Sequence, residues 1–167
     1  MDVAVHRDAV TQDDLSALAW VHDELRRSLE AAHKSMRRFL RETESTFDSD
    51  VDTVEPAVLR TARTQLHQGV GALELVGLPE AATLLRASET AVHRFTAKSH
   101  KLDLAAVEII EQASFALLDY IGRRLAGKPV PALALFPQYR AVQALAGADR
   151  VHPADLWHVD WRWGDLP

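Results

Sequence analysis

Apolar residues return at three- and four-residue steps in four successive segments of this chain, the spacing of one face of an α-helix. Between Thr11 and about Glu44 the stripe is Leu15, Leu18, Leu25, Leu29, Ala32, Met36 and Phe39. From about Glu55 to Val76 it is Leu59, Ala62, Leu66, Leu73 and Val76, and from about Pro79 to Thr96 it is Leu84, Leu85, Ser88, Val92 and Phe95. A fourth stripe follows Asp103, with Ala106, Ile109, Ile110, Ala113, Leu117 and Ile121 on one face. No segment alternates with the two-residue period of a strand.

The punctuation agrees with this division. Thr11 and Asp14 have the spacing of a capping box, and Pro56 sits near a first turn, where its missing N–H costs nothing. Gly77 ends the second segment, Asp103 is placed to cap the fourth, and Gly127 suits the left-handed position that closes it. After "KPVPA", a shorter helix from about Pro137 to Ala146 stops at Gly147. Short connections between amphipathic helices favour antiparallel neighbours. The expected fold class is therefore all-α: an up-down antiparallel four-helix bundle with an appended fifth helix over residues 1–147. Residues 148–167 have no clear period and read as a tail or linker.

Composition removes several kinds of function. With 47% hydrophobic and 26% charged residues the chain has the makings of an ordinary soluble core. No apolar run approaches the roughly 20 residues that span a bilayer, and the first residues lack a signal-peptide layout, so membrane insertion is not expected and the cytoplasm is the expected compartment. The absence of cysteine rules out disulfides, thiolate metal sites and thiol nucleophiles. A net charge of −5 speaks against a nucleic-acid partner, and basic clusters such as "HKSMRRFLRE" read as a solvated helix face.

The stretch "RTQLHQGVGALELVGLPEAATLLRASE" carries the chemistry. His67 lies one step past the inward Leu66, which turns its imidazole to the edge of the buried stripe or into solvent. Gly71, four residues on, costs about 1 kcal/mol against alanine inside a helix, a cost that makes sense where another molecule must approach the backbone. Across the turn at Gly77, His67 and Glu89 each stand roughly 15 to 18 Å from the hairpin end, so the carboxylate is level with the imidazole. A glutamate accepting from Nδ1–H fixes the tautomer and leaves the Nε2 lone pair free as a nucleophile.

"LHQGVGALELVG" resembles the signature of histidine phosphotransfer (HPt) domains, in which a histidine is followed by a glycine four residues later, a small residue next and a glycine ten later. His67, Gly71, Ala72 and Gly77 occupy those positions, and Glu89 stands where CheA-type phosphotransfer domains carry the glutamate that orients the imidazole. Val70 replaces the usual lysine, whose charge in the family sits beside the phosphoryl group. Arg63, four residues before His67, and Arg86, a turn before Glu89, are the candidates to supply that charge. Over almost the whole chain, segments such as "LAWVHDELRRSLEAAHKSMRRFLRE" and "ALFPQYRAVQALAGADRVHPADLW" further resemble the N-terminal domain of the large CheA-like hybrid kinases, ChpA or PilL, that control type IV pili, and the related FimL.

The resemblance implies a two-component phosphocarrier that is itself no enzyme, within a longer parent chain that is a histidine kinase. His67 would accept a phosphoryl group from the parent's kinase domain and pass it to a CheY-like response regulator receiver, and the tail would lead toward further domains. The alternative is an unphosphorylated docking domain that binds a response regulator or a pilus-pole scaffold protein. Exposed apolar residues on the tail or the first two helices would favour it. No cofactor is implied, and no metal is expected: His152, Asp155, His158 and Asp160 match no ligand spacing, and His33 lacks the i, i+4 partner of a helical metal pair. His22 is expected in the core, His93 and His100 at a helix end or the surface, and Trp157, Trp161 and Trp163 against the bundle.

Overall fold

The computed structural model describes residues 12–45, 57–97 and 100–157. These form five α-helices and no strand: α1 (Gln12–Ser45), α2 (Ala57–Leu75), α3 (Pro79–Phe95), α4 (Leu104–Leu125) and α5 (Phe136–Ala146), with single 3-10 turns at Ala132–Leu135 and Pro153–Leu156. The expected helix bounds hold to within a residue or two wherever they fall on described residues. Thr11 and Pro56 lie outside them. No described helix is long and apolar enough to cross a membrane.

Helix α1 packs against α2 and α4, α2 also against α3, and α5 against α3 and α4. The core is one continuous apolar cluster built from the stripes, with Leu25, Leu29, Met36, Leu59, Leu66, Leu73, Leu84, Leu85, Ile110, Leu117 and Ile121 fully buried. Leu15, Phe39, Val76, Phe95 and Ile109, expected inward, are half-buried, the last four packed against the edge of the core.

The turn between α2 and α3 is tight and has a local cause. Gly77 takes a left-handed φ of 73°, its N–H donates to the Glu74 carbonyl at 3.1 Å, and the Leu78 N–H donates back to the Leu73 carbonyl at 3.0 Å. Both bonds satisfy carbonyls that the end of α2 would otherwise leave open, while Leu78 is buried and seals the turn. Pro79 then starts α3 without a missing donor. At the start of α4, Asp103 Oδ1 accepts from the Ala106 N–H at 2.8 Å, the expected cap.

Packing continues past Gly147, beyond the boundary read from the sequence. In the second 3-10 turn Leu156 is buried, and Asp155 Oδ2 accepts from both the Tyr139 hydroxyl at 2.9 Å and the His152 N–H at 3.2 Å. A four-residue turn that buries one side chain leaves no period to detect, which is why the segment reads as a tail. Trp157 differs from expectation: it is 71% exposed. Trp161 and Trp163 lie outside the described residues.

A polar seam joins α1 to α4. Ser114 donates its hydroxyl hydrogen to the Ile110 carbonyl at 3.0 Å, so its oxygen accepts from His33 Nε2–H, also at 3.0 Å. One turn on, Arg37 grips Glu111 with two bonds of 2.7 and 2.8 Å. Burial pushes the His33 pKa below its ordinary 6.5, outweighing the neighbouring Glu111 and Glu30 carboxylates. The folded state therefore binds fewer protons than the unfolded chain in this range, and stability should fall as pH drops through the ordinary histidine range, levelling once the folded ring is charged. Thermal melts between about pH 8 and pH 5 should show this slope, and His33→Gln should flatten it.

Candidate functional site

The tight turn at Gly77 sets the register of α2 against α3: Glu74 faces Arg86, and His67 faces Glu89. His67 projects from the solvent edge of α2, with its side chain 73% exposed, while the Glu89 side chain is only 14% exposed. Nδ1 lies 3.1 Å from both Glu89 carboxylate oxygens. A carboxylate only accepts hydrogen bonds, so this contact calls for the proton on Nδ1, and when the ring is neutral the Nε2 lone pair is left to solvent.

Two glycines in α2 differ in what surrounds them. A Cβ on Gly69 would come within 2.7 Å of Leu85 and 2.8 Å of Leu25, so this buried glycine lets three helices close together. A Cβ on Gly71 would meet nothing within 4 Å. The fold gives Gly71 no packing reason to exist. Helical side chains lean toward the N-terminus, so a longer side chain at position 71 would lie over the turn that carries His67. The glycine leaves that flank of the imidazole open.

Val70 is buried, four residues after Leu66 and three before Leu73. It fills the core seam at the position where the phosphotransfer signature has lysine, adding packing and no charge. Of the two arginines considered as substitutes, Arg86 is hydrogen-bonded to Glu74, and both side chains of that pair are about half exposed. Arg63 places Nε 3.7 Å from Glu89 Oε1, the same carboxylate that holds His67. Arg63, His67, Val70, Gly71, Glu74, Arg86, Glu89, Thr90 and His93 together line an open cleft of about 360 Å³. Sequence reading assigned no part to Thr90 or His93 there. The available signal was spacing: His93 lies one turn past Glu89 on the same face of α3.

Of the other described histidines, His22, His33, His100 and His152 do not line this cleft. His22 is half-buried, and His33 belongs to the α1–α4 seam. The His152 Nδ1 accepts from the Ala154 N–H at 3.0 Å, capping the 3-10 turn together with Asp155. His158 and Asp160 lie outside the described residues, and no cluster of three or more metal-ligating side chains occurs among those described.

Comparison with family models, curated proteins and solved structures returns no match for this chain. Chemically, the site offers an exposed, oriented nitrogen nucleophile flanked by charged pairs. No glycine-rich loop that would cradle a nucleotide is present in the sequence.

The two glycines should separate by experiment. Gly71→Ala should raise stability by about 1 kcal/mol through helix propensity alone. Gly69→Val should lower it by about 1 to 3 kcal/mol through overpacking against Leu25 and Leu85. Chemical denaturation of the two variants beside the parent chain checks both signs.

Proposed function

We propose that the chain is a histidine phosphotransfer domain, an up-down four-helix bundle with α5 appended, in which His67 is the phosphoryl acceptor. The observation that carries the reading is the solvent-facing Nε2 of an imidazole whose Nδ1 is held by Glu89. In the first step the Nε2 lone pair attacks the γ-phosphorus of ATP bound to a kinase domain; the N–P bond forms as the bond to the bridging oxygen breaks, and ADP leaves. In the second step an aspartate carboxylate of a receiver attacks the same phosphorus and the N–P bond breaks, returning neutral imidazole. Phosphoryl transfer depends mainly on positioning and charge stabilisation, which the kinase and receiver bring. This chain brings an oriented acceptor and, at Gly71, room for them to reach it.

The overall resemblance to the CheA-like hybrid kinases of type IV pilus systems supports a place in a cytoplasmic chemosensory pathway controlling twitching motility. The parent's kinase core would be the donor and a CheY-like regulator the recipient. A second reading has its own support. Trp20 on α1 is 63% exposed, Leu75 on α2 is 87% exposed and Trp157 is 71% exposed, surfaces suited to an unphosphorylated docking domain for a response regulator or polar scaffold.

Incubation with a CheA-type kinase core and labelled ATP separates the two. The carrier reading expects acid-labile label on the parent chain and none on His67→Gln. Glu89→Gln should slow labelling by about 10- to 100-fold, as loss of positioning does, without unfolding the helices. Gly71→Leu should fold and transfer slowly. A parent chain that takes no label yet binds a receiver or scaffold would leave the docking reading in its place.

A further inference from the structure

Glu89 is a mostly buried carboxylate with an exposed job. Its side chain is 14% exposed, yet the ring it faces is 73% exposed and, when neutral, gives it a single N–H. A carboxylate this enclosed is costly unless further donors or charges compensate it, and without them rotation toward solvent lets water hydrate it. Among the described residues one other cation lies within ion-pair reach: Arg63, whose Nε is 3.7 Å from Oε1. The arginine stands on α2 one turn before His67, on the side toward which helical side chains lean. Arg86, the other arginine of the cleft, is bound to Glu74.

We propose that Arg63 is a positioning residue that acts through Glu89: it holds the carboxylate against His67 Nδ1 and so sets which ring nitrogen keeps its lone pair. The inference rests on the phosphocarrier reading for its purpose, though the geometry belongs to the fold alone. With Glu89 in place the proton is drawn onto Nδ1 and Nε2 is the nucleophile. With Glu89 turned away, the imidazole reverts to the Nε2–H form that free histidine prefers, and the outward nitrogen carries a hydrogen instead of a lone pair. The arginine's part is thus distinct from that of the family's lysine, since it is directed at the carboxylate behind the ring and not at the phosphoryl group in front of it.

Long-range proton–nitrogen correlation spectra of the ¹⁵N-labelled full chain read the tautomer of each neutral histidine directly, with the His67 signals assigned by their loss in His67→Gln. The parent should show the Nδ1–H pattern, and Glu89→Gln should show it lost. Arg63→Gln should move both His67 nitrogen shifts at least halfway to the Glu89→Gln values while thermal melting remains cooperative, and Arg63→Lys should keep the parent pattern. Arg63→Gln spectra that coincide with the parent would overturn the proposal, as would a Glu89→Gln spectrum that does. A parent that shows the Nδ1–H pattern and the Arg63 dependence, yet takes no label from a kinase, would support the positioning role and reject the carrier reading.

Discussion

The hydrogen bond from the Leu78 N–H to the Leu73 carbonyl fixes what α2 and α3 can do together. It closes α2 in a single left-handed residue, and burial of Leu78 beneath the turn holds the closure in place. Each residue of a helix advances 1.5 Å and turns 100°. One residue more in this connection would carry Glu89 away from His67 in both height and direction. The site on the outer face is therefore specified by a backbone closure ten residues from its histidine, and neither His67 nor Glu89 needs to contribute to folding in order to meet.

Much of this was legible in the sequence because it is periodic. The stripes on Leu59, Leu66 and Leu73 and on Leu84, Leu85 and Val92 define which way each helix faces, and Gly77 with Pro79 marks the turn between them; counting outward from it then brings His67 and Glu89 level. The exposure of His67 follows from the burial of Leu66. What escaped the reading has no period. Leu156 is a single buried residue in a four-residue turn, and the hydrogen bonds around it join His152 and Asp155 of that turn to Tyr139, sixteen residues before Asp155. Gly69 looks like any helix-interior glycine until Leu25 of α1 and Leu85 of α3 are seen to converge on it. Trp157, large and apolar, follows a buried leucine and still faces solvent, because the chain leaves its helical turn in an extended conformation there.

Charge is distributed over the α2–α3 face in two pairs of different character. Arg86 and Glu74 are both half exposed, where an ion pair contributes little to stability and exchanges readily with water or with an incoming group. Glu89, by contrast, is enclosed and held from one side by α2. The face therefore presents a half-exposed ion pair near the turn and an enclosed carboxylate behind the ring. Val70 belongs to the same division: its burial commits to the core a position that is charged in the phosphotransfer signature.

The serine that gives its only hydrogen to a helix carbonyl has a consequence for the chemistry of the whole chain. With its hydrogen on the Ile110 carbonyl, Ser114 accepts from His33, and the α1–α4 seam favours the Nε2–H form of that ring, the opposite tautomer to the one Glu89 draws from His67. In their neutral forms the two imidazoles are thus drawn toward opposite proton assignments, one with Nε2 engaged by a buried serine, the other with Nε2 facing solvent. To an acylating reagent in solution they are different functional groups. Selective acylation of histidine would mark the second and spare the first, giving this protein a built-in reference against which the reactivity of its exposed ring is measured.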